Sequence, residues 1–255
     1  MKDILIALDI GNTNITAGVF KYGHLVARVK IPTHMNSAYD HALKGLFRKG
    51  GISPAGGEDV IISSVVPAAL GRVAKALKKI AKFRITVLGR DLDVPIKNLY
   101  RLKKEVGQDR LVNAFAAKKL YGSPAVIIDF GTAITFDLVS KKGEYLGGLI
   151  MPGIGISLSS LYEKTALLPC VELKDAPHIS IIGKDTVSSM RGGILFGFGA
   201  MCDELSLKYR KRLGKSLKVI ATGGNASLIK KYSGSIQILD EDITLKGLLL
   251  ISQLK

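Results

Sequence analysis

Two aspartates stand in settings that suit phosphate chemistry. Asp9 and Asp129 each end an apolar run and are each followed two residues later by a glycine, in Asp9-Ile10-Gly11-Asn12-Thr13-Asn14 and Asp129-Phe130-Gly131-Thr132. Glycine lets backbone N–H groups approach an anion closely, and the Asn and Thr side chains add amide and hydroxyl donors. A carboxylate beside such a turn can hold Mg²⁺ directly or through water. Either turn alone reads as an ordinary bend. Two copies in register, 120 residues apart, point instead to one ligand that carries phosphate groups.

Rival signatures are missing. No GxxxxGK[ST] occurs, because Gly183-Lys184-Asp185-Thr186 lacks the upstream glycine, and no GxGxxG follows a strand. The Gly192 to Gly199 run falls within a predicted helix, where small residues permit close packing. Cys170 and Cys202 form neither a CxxC nor a Cys/His cluster, so two buried reduced thiols are expected rather than a disulfide or zinc framework. His34 and His41 lack a third ligand and make a poor metal signature.

The elements that carry the turns repeat as well. ILIALDIGNTNITAGVFKYGHLVARV and PAVIIDFGTAITFDLVSKKGEYLGGLI each read as an apolar strand, the Asp-x-Gly turn, a second strand, a Lys-x-Gly turn and a third strand, with Gly23 and Gly143 at the same offset. Helical spacing follows each hairpin, through Ala38, Ala42, Leu43, Leu46 and Phe47 in the first copy and Ile156, Leu158, Leu161 and Tyr162 in the second. Further strands are predicted over 60–66, 84–88 and 217–221, and helices over 68–82, 108–121, 191–213, 225–232 and 244–254. The result is two related α/β halves, 1–113 and 114–255, with a cleft between them and the last helix closing the second half.

A hydrophobic content of 47% over 255 residues excludes a disordered chain. Apolar stretches such as Ile4 to Leu8 and Ala125 to Ile128 have strand length, well short of the roughly 20 residues that span a membrane. No basic segment followed by an apolar one opens the chain, so a cytoplasmic location is expected. The net charge of +16 is scattered: Lys75, Lys78, Lys79 and Lys82 recur opposite Ala74, Leu77, Ile80 and Ala81 without interleaved aromatics. That is a solvated helix face rather than a nucleic-acid footprint, and the same field can draw anionic substrates.

Eight motifs in order carry a resemblance over nearly the whole chain. They are Asp9 to Asn14, Ser64-Val65-Val66-Pro67, Glu105 to Arg110 with Val112-Asn113-Ala114, Asp129 to Ala133, Gly147 to Gly153, Gly183 to Thr186, Thr222-Gly223-Gly224, and Leu245 to Leu248. This set resembles the type III pantothenate kinases, members of the actin and sugar-kinase ATPase superfamily that make 4′-phosphopantothenate for coenzyme A. The resemblance implies two duplicated ribonuclease-H-like (actin-like ATPase) domains with mixed sheets and an interdomain cleft. It implies ATP phosphates on Asp9, Gly11, Asn12, Thr13, Asn14, Gly131 and Thr132, the nucleoside near Gly223 and Gly224, and Mg²⁺ beside Asp9 and Asp129. A monovalent cation, K⁺ or NH₄⁺, is implied near Asp129.

On the acceptor side the resemblance implies pantothenate held by Tyr100, Gly107, Gln108, Asp109 and Arg110. Thr186 would reach it from the partner subunit of a homodimer with composite sites. It also implies that Asp109 is the catalytic base. Residue chemistry alone leaves Asp109 open between a base and the N-cap of the following helix, and the two roles are compatible, since a helix N-terminus favours an ionised carboxylate. Arg110 likewise reads either as a bidentate grip on a carboxylate or as a surface arginine, and Tyr100 as a substrate contact or an ordinary exposed tyrosine. The chain departs from the family at Arg101-Leu102-Lys103-Lys104, where Asn-Pro is usual, and at Met190-Arg191-Gly192-Gly193, where a less basic helix start is usual. Two other readings stay open at this point: a non-catalytic transcriptional accessory factor of the same fold, and a kinase for another small alcohol.

Overall fold

The computed structural model describes residues 3–34, 39–53, 57–173 and 179–254. Ala38, part of the first helical pattern, lies outside them. The chain forms two compact units, residues 1–119 with 242–255, and residues 120–241.

The first unit is built on β1 (Ile4–Ile10), β2 (Asn14–Lys21), β3 (His24–Pro32), α1 (Tyr39–Lys49), β4 (Asp59–Ser64), α2 (Pro67–Ile80), β5 (Arg84–Val87) and α3 (Gln108–Leu120). Its sheet runs β3-β2-β1-β4-β5, with β1 antiparallel to β2 and parallel to β4. Tyr22 and Gly23 both take positive φ, 49° and 85°, which gives the two-residue hairpin turn a twist that matches the strands. Ile6, Leu8, Ile15, Val19, Leu43, Phe47, Ile62 and Leu77 form its core. Lys75, Lys78, Lys79 and Lys82 are exposed as expected; of the apolar residues expected opposite them Leu77 is buried and Ala74, Ile80 and Ala81 are half-buried, the buried stripe running instead through Val73, Ala76 and Leu77.

The second unit contains β6 (Ala125–Phe130), β7 (Ala133–Val139), β8 (Tyr145–Pro152), α4 (Ile154–Lys164), α5 (Thr186–Leu213), β9 (Lys218–Thr222), α6 (Ala226–Lys230) and β10 (Ile238–Leu239). Its sheet order, β10-β9-β6-β7-β8, is the first sheet's order with each strand replaced by its counterpart. The registers agree too. Asn14 pairs with Pro32 and Ile15 with Ile31, as Ala133 pairs with Pro152 and Ile134 with Met151. Both hairpins carry a register shift near the same point, at Val19/Phe20 and at Leu138/Val139.

The units differ from a division at residue 113 in two ways. Helix α3 stays with the first unit through Lys119, and so does α7 (Ile243–Ser252), which packs on β1, β2 and β4. Ile243, Leu245, Leu248 and Ile251 of α7 are buried, and a Cβ on Gly247 would lie 2.7 Å from Val112 Cγ1, so glycine there lets α7 sit against α3. A hydrogen bond from Thr244 Oγ1 to Asn113 Oδ1 (2.7 Å) and an Arg28–Asp242 ion pair (2.6 Å) fix its entry.

Three smaller expectations change. Helix α5 begins at Thr186, five residues before the predicted start, because Asp185 caps it in a reciprocal box with Ser188. Within α5 only part of the glycine run serves packing: a Cβ on Gly199 would lie 2.1 Å from Tyr232 O, whereas Gly193 and Gly197 face open space. Cys202 is buried, and burial pushes its thiol up to about 12. Cys170 is exposed, contrary to expectation, because its segment runs along the surface beyond α4. No helix among the described residues is long and apolar enough to cross a membrane.

Candidate active site

Each Asp-Gly turn leaves the carboxyl end of a strand that has a parallel neighbour, the position where open α/β sheets bind ligands. Asp9 pairs with Ser63 across β1 and β4, and Asp129 with Thr222 across β6 and β9. Both carboxylates are half-buried, while Asn12, Thr13, Asn14, Gly131 and Thr132 are exposed.

In the first unit the Asp9 turn and the Gly107 to Arg110 motif come together through a third motif. Gly11 N–H donates to Asn14 O at 3.0 Å, closing the turn, and Val65 N–H donates to Ile10 O at 3.1 Å. Ser64 Oγ accepts from Val66 N–H at 3.1 Å, which folds Ser64-Val65-Val66 into a bend beside the turn. Gly107 rests on that bend: a Cβ there would lie 3.3 Å from Val65 Cγ1 and 2.4 Å from Asp109 Oδ1. Gln108 in turn packs on Gly89, whose φ is +77° and whose added Cβ would meet Gln108 Nε2 at 2.8 Å.

Asp109 lies inside the first turn of α3, and its Oδ1 accepts from Arg110 N–H at 2.8 Å. The N-cap reading therefore gives way, since the helix starts one residue earlier, at Gln108. The positive end of the helix still favours the ionised carboxylate. Asp109 and Arg110 are both half-buried. Tyr100 is half-buried as well, its N–H donated to Asn98 Oδ1 at 2.9 Å. The unusual Arg101 to Lys104 stretch is exposed and runs into a single 3-10 turn, Lys103–Glu105.

In the second unit Gly153 N–H donates to Thr132 O at 3.1 Å. Thr222-Gly223-Gly224 presses on the aspartate itself: Gly223 has φ +90°, and its Cβ would lie 2.5 Å from Asp129 Oδ1. A cavity of about 510 Å³ opens beside these loops, lined by Ile154, Leu158, Cys170, Val171, Asn225 and Leu228. Its volume is that of a small-molecule pocket. The sequence reading missed it, although Ile154 and Leu158 repeat at helical spacing directly after the Gly147 to Gly153 motif. Arg191, one of the departures from the family pattern, donates from Nε to Glu172 O at 3.1 Å and so ties down the cavity's outer wall. Thr186 is the exposed first residue of α5, next to a cap carboxylate held below its usual range by the Ser188 N–H and hydroxyl.

The chain matches the family described as type III pantothenate kinase over residues 5–208. It is also 40% identical over 260 residues to the type III pantothenate kinase of Finegoldia magna, covering 100% of this chain and 98% of that one. This chain belongs to the type III pantothenate kinase family. The enzyme of that name from Myxococcus xanthus is 39% identical over 251 residues, 97% of each chain. Among solved structures, one from Campylobacter jejuni described as a Baf family transcriptional activator aligns with a TM-score of 0.58 at 19% identity, over 97% of both chains. The inorganic polyphosphate/ATP-glucomannokinase of an Arthrobacter strain aligns with a TM-score of 0.50 at 15% identity, over 99% of both. Those two likenesses concern the fold, which is the actin-like ATPase fold of the sugar kinases.

Each aspartate, taken within its own unit, offers the hard oxygen donor that a divalent cation accepts. Asp9 and Asp129 each offer one half-buried carboxylate next to an exposed turn.

Proposed function

We propose that the chain transfers the γ-phosphoryl group of ATP to the primary hydroxyl of pantothenate, the first step of coenzyme A biosynthesis. The observation that carries the site assignment is the contact chain in the first unit, from the Asp9 turn through Val65 to Gly107 and Asp109. It sets a carboxylate at a helix start beside a turn suited to phosphate.

On this reading Asp109 accepts the proton of the pantothenate hydroxyl as its oxygen attacks the γ-phosphorus. The bond from that phosphorus to the β–γ bridging oxygen breaks, and ADP leaves. Arg110 takes the pantothenate carboxylate in two parallel hydrogen bonds, and Tyr100, Gly107 and Gln108 shape the acceptor site. Gly11, Asn12, Thr13, Asn14, Gly131 and Thr132 hold the ATP phosphates, with Gly223 and Gly224 beside the nucleoside. When bound at Asp9 and Asp129, Mg²⁺ offsets the negative charge that gathers on the phosphates. A monovalent cation, K⁺ or NH₄⁺, is assigned near Asp129.

The proposed assembly is a homodimer in which Thr186 completes the partner's site. Exposed Leu149, Ile150, Ile156 and Tyr162 on β8 and α4, with Ile181 and Ile182 just before α5, supply apolar surface for it. A cytoplasmic location goes with ATP use and free cysteines. A non-catalytic accessory role is not favoured, because the full-length relatives at about 40% identity are named as kinases.

The test is ADP release by the purified protein with ATP, Mg²⁺, K⁺ and pantothenate, omitting each in turn. Pantothenate-dependent ADP formation supports the reading. A stronger response to a different small alcohol would replace it.

A further inference from the structure

A residue outside every motif named above grips the first Asp-Gly turn. Thr33 follows β3 and is fully buried. Its N–H donates to Thr13 O at 2.9 Å, and its Oγ1 donates to Gly11 O at 2.7 Å. Its own carbonyl accepts from the Tyr39 hydroxyl on α1 and from Arg72 Nη2 on α2, the latter at 3.3 Å. Arg72 also lies over the Tyr39 ring, 5.9 Å from its centroid. One threonine thus couples the turn to both helices.

The grip has a stereochemical consequence. In a trans peptide unit the C=O and the following N–H point in opposite directions. With Gly11 O and Thr13 O both turned toward Thr33, the N–H groups of Asn12 and Asn14 are aimed away from it. Those are the residues that lie exposed at the rim of the turn. A free Gly11 carbonyl would let that peptide rotate and disperse the donors.

The second unit shows what the hydroxyl adds. Asn14 pairs with Pro32 and Ala133 with Pro152, so Thr33 and Gly153 are equivalent residues, each following its proline. Gly153 makes the same backbone bond, to Thr132 O, but has no room for a side chain, since a Cβ would lie 2.1 Å from that oxygen. The backbone bond is shared by both units; the second bond, from Oγ1 to Gly11 O, belongs to the first.

We propose that Thr33 is a positioning residue for the phosphoryl donor: its hydroxyl sets the orientation of the Gly11 to Asn14 turn and thereby the affinity for the phosphates of ATP. This inference rests on the reading of that turn as phosphate-binding. The test compares wild type, Thr33→Val, Thr33→Ser and Tyr39→Phe in steady-state kinetics with ATP and pantothenate varied separately, alongside direct MgATP binding and thermal unfolding. Valine keeps the shape and the backbone N–H and loses only the hydroxyl.

Thr33→Val is expected to raise KM and Kd for ATP about 3- to 10-fold, the range of one lost hydrogen bond. KM for pantothenate stays within about twofold, and serine restores the wild-type values. Tyr39→Phe, which loosens Thr33 from behind, shifts KM for ATP in the same direction by less, and it carries the test if the valine variant does not fold. An unchanged KM for ATP in soluble, folded Thr33→Val overturns the proposal. So does a parallel rise in both KM values with a lowered Tm, the sign of a purely structural role. Wild type that turns over ATP with pantothenate while the valine variant matches it sinks this inference alone; wild type that binds no MgATP sinks the phosphate reading and this inference with it.

Discussion

The two units hold equivalent turns by different means. In the first, the link from Ile10 to Asn14 has three residues and is gripped by a threonine side chain as well as by backbone. In the second, the link from Phe130 to Ala133 has two residues, and Gly153 and Gly223 press backbone directly against Thr132, Phe130 and Asp129. A side-chain grip can be removed with modest loss, because the backbone around it stays. A glycine contact cannot be altered without moving the turn itself. The proposed acceptor chemistry, moreover, lies on the first unit's side, where Val65 and Gly107 connect the turn to Asp109.

Asp109→Asn should sharpen that asymmetry most. Turnover is expected to fall about 10²- to 10⁴-fold, the range for losing a positioned base, while MgATP binding measured by calorimetry stays near wild type. An unchanged kcat would reject Asp109 as the base and leave the acceptor side without a proton acceptor.

Gly153→Ala tests the rigid side of the comparison. Its added methyl would press on the Thr132 and Gly131 carbonyls, so the second turn must shift. A loss of about 2–4 kcal/mol in stability, read by denaturant unfolding, and a larger rise in KM for ATP than Thr33→Val produces are expected. If alanine is tolerated at 153, the two turns are equally adaptable and the contrast fails.

A pH effect separates a further feature of the second unit. Burial tends to raise the Asp203 pKa, but the Ser233 hydroxyl and the N–H groups of Ser235 and Gly234 outweigh it and hold the carboxyl below its ordinary value. A depressed carboxyl adds stability that is present above its unfolded pKa, about 3.9, and is lost as pH falls through the folded value. Asp203→Asn should therefore cost about 1 kcal/mol at pH 7, and its Tm deficit should close below about pH 4. A deficit that persists in acid would show that the carboxylate charge is not what ties down the 233–235 segment.

Replacing Lys75, Lys78 and Lys79 with Gln should have the smallest effect, within about 0.5 kcal/mol each, since all three are solvated on α2.

Much of this architecture is legible in the residues. The apolar runs before Asp9 and Asp129, the glycines after them, and Lys21-Tyr22-Gly23 between two strands mark a repeated hairpin by local chemistry alone. The motif residues of the candidate site stand out for the same reason, because the chemistry proposed for each needs a particular side chain or none. Long-range facts are not. Leu245, Leu248 and Ile251 announce a buried helix but say nothing about which sheet buries it, so α7 was expected with the wrong partner. The start of α5 was missed because Ser188, rather than Glu or Gln, closes the capping box. Thr33 was invisible for a deeper reason: a lone threonine after a proline gains meaning only when strand register sets it against Gly11 and Thr13.

The return of α7 to β1, β2 and β4 makes the second unit an insertion within the first. During synthesis the order of completion is then inverted. All the strands of the inserted unit are synthesised before α7, so the unit that emerged earlier still exposes the apolar face that α7 will cover until the last helix is made. The segment bearing Asp9 and Asp109 is thus started first and sealed last, and a nascent chain halted before Ile243 would present the exposed core that chaperones recognise.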